Sequence, residues 1–232
     1  MPGADDAAPA CPVCRSGPAV RFLDVAQRRY WRCGRCAATF LDPAQHPDRA
    51  TERAHYLTHE NDPDDARYRR FLGRLATPLL ARLAPGSSGL DYGCGPGPAL
   101  AAMLREAGHD MTLYDPIFAP DEEALRRRYD FVVLSEVAEH FHRPVDEFDR
   151  LGRLVRPGGW IGVMTAFQTD DARFAGWRYR RDPTHVVFYR PQTLLRIARD
   201  RGWTCAIPGP DVALLRTADG DQPAASRAGS SE

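Results

Sequence analysis

Four cysteines near the N-terminus have the spacing of metal ligands. They form two pairs, Cys11-Pro-Val-Cys14 and Cys33-Gly-Arg-Cys36, with eighteen residues between the pairs. Two thiolates three positions apart can bind one ion, and two such pairs complete a tetrahedral Zn²⁺ site without an open position. The spacing therefore predicts a structural zinc site, with two disulfides or four free thiols as the alternatives.

A glycine-rich segment, LDYGCGPG at 90–97, is the second group with recognisable chemistry. A glycine turn between a strand and a helix lets backbone N–H groups approach a ligand closely. A dinucleotide fingerprint would need a glycine where this chain has Pro98. Asp115 ends the next predicted strand, where a carboxylate can accept hydrogen bonds from both ribose hydroxyls. The pattern therefore predicts a nucleoside site.

Histidines are the candidates for proton transfer, because imidazole titrates near neutral pH. His140 follows the carboxyl end of a central predicted strand, the edge at which open α/β sheets bind ligands. His185 lies in DPTHVVFY, His142 is predicted to point elsewhere, and His59 lies in the segment before the core. For each of them a structural, hydrogen-bonded histidine is the alternative.

Charge is balanced overall and uneven locally. The chain has 31 acidic and 31 basic residues, and every basic residue is arginine. This argues against a uniformly cationic nucleic-acid binder and excludes lysine Schiff-base or P-loop chemistry. Segment 173–201 has eight arginines and two aspartates among aromatic residues, and segment 11–40 has six arginines and one aspartate. Arginine with aromatics favours an anionic small molecule or stacked bases, with a solvated surface as the alternative.

The elements that must position these groups alternate between strand and helix. Strands are predicted at GLDYG, MTLYD, DFVVLS and WIGVMT, and a terminal antiparallel hairpin at WTCAI and VALLRT. Helices are predicted at 99–107, 145–155 and 191–201. An earlier helix is predicted to begin after Asp62 as N-cap, with Pro63 in its first turn and a kink or break at Pro78. Alternation of this kind predicts a mostly parallel α/β sheet with helices on both faces.

Four of these motifs occur together in a known order. LDYGCGPG, LYD, YDFVVLSEVAEHF and LVRPGGWIGVMT resemble the successive motifs of class I S-adenosylmethionine-dependent methyltransferases, from about residue 90 to about residue 216. The resemblance implies a Rossmann-like sheet and S-adenosylmethionine as cofactor. It implies that Asp115 holds the ribose and that Ser135 and Glu136 line the mouth of the pocket. It assigns the methionine part of the cofactor to Asp91, Tyr92, Gly93, Cys94, Gly95 and Gly97.

The sequence departs from that family in two places. Only thirteen residues separate Asp115 from Tyr129, too few for the usual helix, third strand and helix. Asp121 is then the candidate for the acid that reads the adenine. A cysteine knuckle before the core is similar to that of some bacterial sugar C-methyltransferases. Their further C-terminal domain has no counterpart in this sequence, so their substrate is not implied.

The predicted function is methyl transfer to a small anionic metabolite, at oxygen, carbon or nitrogen. His140 and His185 are the candidate bases, and Glu136 and Glu139 are either pocket residues or helix caps. The alternatives are an RNA methyltransferase that docks RNA on the zinc module beside Tyr30 and Trp31, and a non-catalytic cofactor-binding scaffold.

Without a secretory signal or a long apolar run, we expect a cytoplasmic protein and no membrane partner. The predicted segments are a disordered tail (1–10), a zinc-ribbon-like module (11–42), a linker and helical cap (43–84), the methyltransferase domain (85–217) and a disordered tail (218–232).

Overall fold

The computed structural model of the protein describes residues 8–58 and 61–220. His59 and most of both predicted tails lie outside these residues. No helix within the described ranges is both long and apolar enough to cross a membrane. The strands and helices, in chain order, are β1 (Ala19–Val25), β2 (Arg28–Cys33), β3 (Thr39–Leu41), α1 (Arg49–Tyr56), α2 (Ala66–Leu80), β4 (Ser88–Tyr92), α3 (Ala99–Glu106), β5 (Asp110–Tyr114), β6 (Tyr129–Ser135), α4 (Pro144–Leu154), β7 (Val155–Met164), β8 (Val187–Phe188), α5 (Pro191–Asp200), β9 (Thr204–Gly209) and β10 (Val212–Arg216).

The main sheet has the strand order β5-β4-β6-β7-β10-β9. Its first four strands are parallel, whereas β10 pairs antiparallel with both β7 and β9. The predicted parallel-rich sheet and its terminal hairpin are confirmed. After β4 the chain passes to β5 on one side and then to β6 on the other, so the strand order reverses at β4. Open α/β sheets bind ligands at the carboxyl end of such a reversal.

Helices cover both faces of this sheet because successive strand residues point to opposite sides. On one face, α2 and α3 pack over Phe131 and Val133 through buried leucines and alanines. On the other face, α4 and α5 pack over Val132 and Leu134. Burial of one leucine side chain contributes about 1.5–3 kcal/mol, so these two layers hold the sheet in place.

The segment before the sheet differs from its prediction. Helix α2 begins at Ala66 and not after Asp62, because the Asp65 side chain accepts hydrogen bonds from two first-turn N–H groups and the Asp62 side chain accepts from Asp64 in the preceding turn. Pro78 lies in the last helical turn and does not split the helix, which ends at Leu80. Helix α1 was not predicted at all, since its sequence, RATERAHY, has no large apolar face.

Residues 116–128 hold only a short 3₁₀ helix, Glu122–Arg126, before the chain enters β6. Strand β5 is consequently the edge of the main sheet. This agrees with the prediction that thirteen residues are too few for a further strand with its flanking helices.

The cysteine-rich segment is joined to the main body through a second sheet. Its strand order is β1-β2-β3-β8, and β8 comes from the later part of the chain. Thr39 pairs with Phe188 and Phe40 with Val187. The ring of Tyr30 lies edge-on to Phe174 at 5.0 Å. A segment this small has little apolar core of its own, and these contacts give it a shared one.

Candidate active site

A cavity of about 840 Å³ opens at the carboxyl ends of β4, β5 and β6. This volume lies in the range of small-molecule sites. All nine residues predicted to bind the cofactor line it: Asp91, Tyr92, Gly93, Cys94, Gly95, Gly97, Asp115, Ser135 and Glu136. The structure therefore brings together the residues that the sequence motifs single out.

The glycine turn forms a cradle that side chains would fill. Gly93 and Gly95 have φ values of 82° and 64°, which favour glycine. A Cβ on Gly93 would lie 2.6 Å from the Val137 side chain, and one on Gly97 would lie 1.9 Å from the Asn61 carbonyl oxygen. The chain before α2 thus lies directly on the turn, and only glycine permits this approach.

Two carboxylates flank this cradle in different environments. Asp115 accepts hydrogen bonds from the backbone N–H groups of Gly95 (3.1 Å), Ile117 (2.8 Å) and Phe118 (3.0 Å), which fix its orientation. Asp91 is buried, and burial raises its pKa to about 7. A cation beside Asp91 would favour its charged form. The pair fits a ligand that carries both a ribose diol and an ammonium group.

Asp121, the candidate for reading the adenine, does not line the cavity. Its side chain accepts a hydrogen bond from the Glu123 N–H and caps the 3₁₀ helix. The cavity wall after Asp115 is instead formed by Pro116, Ile117 and Phe118. An apolar wall suits a flat base, and the sequence DPIF directly after β5 was the available signal for it.

Glu136 and Glu139 are not caps of the following helix, whose N-cap residue is Arg143. Glu136 lines the cavity and has a φ of 55°, an uncommon backbone conformation for a non-glycine residue. Burial and the neighbouring Glu139 raise the pKa of Glu136 to about 9. Glu139 is fully buried and accepts a hydrogen bond from the Tyr179 hydroxyl.

His140 and His185 come together in the cavity wall, with ring centroids 4.7 Å apart. His140 Nδ1 lies 3.1 Å from the Thr184 carbonyl oxygen, and His185 Nδ1 lies 2.8 Å from that of Tyr179. A carbonyl oxygen only accepts, so both Nδ1 atoms carry the proton. His142 lies elsewhere, as predicted, with its Nε2 hydrogen-bonded to Glu52 at 2.8 Å.

Segments 56–83 and 177–189 both contribute to the cavity wall. Tyr56 and Tyr68 line it from the first segment, and Trp177 and Tyr179 line it from the second. Glu52 also lines the cavity but was missed, because α1 was not predicted. Asp48, whose side chain caps α1 through the Thr51 N–H, was the sequence signal for that helix.

The arginine-rich segment does not supply a basic pocket. Arg178 lines the cavity, but Arg180 is buried and donates to the Tyr30 hydroxyl and the Ala175 carbonyl. Other arginines of the segment form ion pairs, including Arg190 with Asp171 and Arg201 with Asp149. Counting charge along the sequence overlooked acids that tertiary structure brings from other segments.

The cysteine-rich segment keeps two of its aromatic residues, Tyr30 and Trp31, in the core. Tyr30 and Trp31 have 0% and 4% of their surface exposed. Trp31 donates its indole N–H to Asp42 at 2.9 Å. Both rings belong to the shared core and are not exposed for stacking on RNA bases.

The four N-terminal cysteines converge. Cys11 and Cys36 have sulfur atoms 3.6 Å apart, as have Cys14 and Cys33. No disulfide joins these four cysteines. Four ligands at ~2.3 Å from one Zn²⁺ would have sulfurs about 3.8 Å apart. The next residue after each pair, Arg15 or Ala37, has a left-handed φ of 52° or 60°, so both knuckles repeat one backbone geometry.

The parallel-rich α/β sheet has a glycine turn and two carboxylates where its strand order reverses. This arrangement is typical of proteins that bind a nucleoside-containing cofactor. A family model described as a methyltransferase domain matches residues 65–206. This match spans more than half of the chain, and the protein belongs to this methyltransferase family.

A solved methyltransferase structure has a similar fold. The chain is 17% identical to 1,6-didemethyltoxoflavin-N1-methyltransferase from Burkholderia thailandensis, solved with 1,6-didemethyltoxoflavin and S-adenosylhomocysteine bound. The TM-score is 0.54, over 86% of this chain and 99% of that one. An O-methyltransferase family protein from the same organism gives a TM-score of 0.45 at 18% identity, over 72% of this chain and 68% of that one. A search of the curated proteins finds no significant match.

Proposed function

We propose that the protein transfers a methyl group from S-adenosylmethionine to a small molecule. The observation that carries the proposal is one continuous cavity with two chemically different ends. One end has the glycine cradle with Asp91 and Asp115, and the other has His140 and His185. When bound, S-adenosylmethionine supplies an electrophilic methyl group, and a cavity of about 840 Å³ has room for a small acceptor beside it.

At the cofactor end, Asp115 would accept hydrogen bonds from the ribose hydroxyls, and Asp91 would lie near the cationic methionine part. Tyr92, Cys94 and the three glycines would form the floor, and Ser135 and Glu136 the boundary with the acceptor. Ile117 and Phe118 offer an apolar wall for the adenine. The rate of in-line displacement at a methyl group depends mainly on how the donor and the acceptor are oriented. A rigid glycine turn would hold the methyl donor in a fixed orientation.

At the acceptor end, His140 and His185 are the groups that would orient the acceptor or take part in its deprotonation. With Nδ1 donating to a carbonyl, Nε2 is the remaining ring nitrogen of each histidine for that task. The charged residues that line this end are Glu52, Glu136 and Asp182, with Arg178 as the basic one. This balance favours recognition by imidazole and carboxylate, and it argues against the anionic metabolite suggested by the local arginine count.

The N-terminal cysteines would hold one structural Zn²⁺. Support comes from the 3.6 Å sulfur separations and from burial, which raises the pKa of the Cys33 thiol and disfavours an uncompensated thiolate. Gly17 leaves room for the site, since a Cβ there would lie 2.8 Å from the Cys33 sulfur. Elemental analysis should show one zinc fewer per chain in Cys33→Ser than in the wild type. Equal zinc contents would contradict the proposal.

The function is tested with isotope-labelled methyl donor and a host extract separated into small-molecule, RNA and protein fractions. We expect label in the small-molecule fraction with the wild type and none with Asp115→Ala. Label in RNA would overturn the choice of acceptor. Tight S-adenosylhomocysteine binding without label in any fraction would favour the non-catalytic scaffold.

A further inference from the structure

Three possible metal ligands meet in the wall at the acceptor end of the cavity. Glu139, His140 and His185 each offer one ligand atom, and these atoms lie within 4.8 Å of one another. His185 Nε2 is 4.0 Å from Glu139 Oε1. The two imidazoles line the cavity, and the carboxylate is fully buried. The cluster is thus open toward bound ligands on one side only.

Both imidazoles are held as metal-ligating histidines usually are. Each directs its Nδ1–H to a backbone carbonyl, Thr184 for His140 and Tyr179 for His185. Such a bond fixes the ring orientation and the tautomer, and it leaves the Nε2 lone pair as the ligand. Both carbonyls belong to the same short segment, so the two rings are fixed relative to each other.

Glu139 gives an independent indication of a missing partner. Its Oε1 accepts a hydrogen bond from the Tyr179 hydroxyl, which also bonds to Thr165 at 3.0 Å. Its Oε2 is buried and has no hydrogen-bond partner among the described residues. A buried carboxylate oxygen without a hydrogen-bond partner is costly. A cation at this point would give the unpartnered Glu139 oxygen a ligand, with the two imidazoles in reach of the same ion.

We propose that Glu139, His140 and His185 bind a divalent transition-metal ion that holds the methyl acceptor. The inference rests on the proposed function, because it assigns a task to the acceptor end of the same cavity. Two imidazoles and a carboxylate suit Zn²⁺, Mn²⁺, Fe²⁺ or Co²⁺. Bond lengths of ~2.0–2.2 Å require the ligand atoms to approach by about 1 Å, a change within side-chain adjustment.

The proposed metal site indicates which class of acceptor would bind. A metal in the wall keeps coordination positions toward the cavity, where a hydroxyl, enol or phenol oxygen of the acceptor can bind. The ion lowers the pKa of that oxygen, and the released proton goes to water because both imidazole lone pairs are occupied. It would also offset the acidic residues Glu52, Glu136 and Asp182, which otherwise oppose formation of an oxyanion here.

The test titrates Mn²⁺ into full-length protein whose cysteine site is filled with zinc, and it follows free Mn²⁺ by electron paramagnetic resonance. Mn²⁺ prefers oxygen and nitrogen ligands to thiolates, so the cysteine site does not compete. We expect one Mn²⁺ per wild-type chain and at least tenfold weaker binding by Glu139→Gln. Glu147→Gln is the matched control. Glu147 is another acid of the cavity, bonded to the Tyr92 hydroxyl at 2.6 Å, and its variant should bind Mn²⁺ normally.

Absence of saturable Mn²⁺ and Co²⁺ binding by the wild type, or equal binding by Glu139→Gln, would overturn the inference. The cluster would then be a protonated His185 between Glu139 and Asp182, whose Oδ2 lies 3.9 Å from Nε2. His140→Gln is the second variant if Glu139→Gln does not fold. S-adenosylhomocysteine affinity is measured on the same samples. If the wild type binds S-adenosylhomocysteine but no Mn²⁺ or Co²⁺, the metal inference fails and the proposed function still holds. If the wild type does not bind S-adenosylhomocysteine, the proposed function itself fails.

Discussion

The two ends of the cavity are built in different ways. The cofactor end comes almost entirely from consecutive residues, 91–97, and from Asp115 at the tip of the adjacent strand. The acceptor end combines α1, the turn after β6 and the segment 177–185, which are far apart in the sequence. Under the proposed function, binding of the methyl donor would depend on local backbone geometry, whereas handling of the acceptor would depend on tertiary contacts.

The largest difference between the effects on turnover and on cofactor affinity is expected for His140→Ala. His140 lies at the acceptor end beside His185 and Tyr56. Loss of a group that activates the acceptor should lower kcat by about 10²–10⁴-fold, whether it acts as base or as metal ligand. The Kd for S-adenosylhomocysteine, from calorimetry, should stay within about twofold of the wild type. A parallel loss of cofactor affinity would show that the two ends are not separable.

The converse change is Asp115→Ala. Two hydrogen bonds to a charged acceptor contribute about 1.5–3 kcal/mol each, so we expect affinity for S-adenosylhomocysteine to fall by about 100-fold or more. Asp121→Ala is the matched control, since this exposed aspartate caps a 3₁₀ helix outside the cavity. Equal affinities of the wild type and Asp115→Ala would refute the assignment of the ribose site.

This contrast explains how much the sequence alone could predict. Strand-helix alternation, LDYGCGPG and Asp115 encode geometry within a few residues, so the sheet and the cofactor end were predictable. Arg180 and Trp31 were misread because their burial depends on Tyr30 and Asp42, whose positions no local pattern reveals. A charged or aromatic side chain shows its role only when its tertiary partners are known.

A third, smaller effect on turnover is expected from the cysteine-rich segment, which is connected to the acceptor end by backbone hydrogen bonds. Leu41 N–H donates to the Val186 carbonyl at 2.8 Å, and Val186 N–H donates to the Glu139 carbonyl at 2.9 Å. Disruption of the proposed zinc site by Cys33→Ser should displace Glu139 and the neighbouring His185. Turnover should fall on the order of 10- to 100-fold, because small misplacements at a reacting centre are costly.

S-adenosylhomocysteine affinity should change little in Cys33→Ser, since none of these hydrogen bonds reaches the glycine cradle. Cys205→Ser is the control, because Cys205 lies in β9 at the opposite edge of the main sheet. Equal turnover of Cys33→Ser and the wild type would mean that the module is mechanically independent of the acceptor end.

A smaller effect is expected in the pH dependence of stability. Burial raises the pKa of Glu136 to about 9, against ~4.3 in an unfolded chain. Between these values the folded protein retains a proton that the unfolded chain has lost, so this residue makes stability decline as pH rises. Glu136→Gln removes that decline. Its melting temperature should exceed that of the wild type by a few degrees at pH 9 and match it near pH 5. A constant difference across this range would contradict the pKa shift.

The smallest effect is expected at Arg178, and it tests the charge argument directly. Arg178 is exposed at the cavity rim, so its replacement by alanine should raise the acceptor KM by no more than a few-fold. Arg180→Ala should instead lower the melting temperature and leave KM unchanged, because Arg180 is buried against Tyr30. A large rise in KM for Arg178→Ala would restore an anionic acceptor. A rise in KM of only a few-fold would support recognition of the acceptor by carboxylates and imidazoles. Those residues lie outside the run of arginines, so counting charge along the sequence does not identify them.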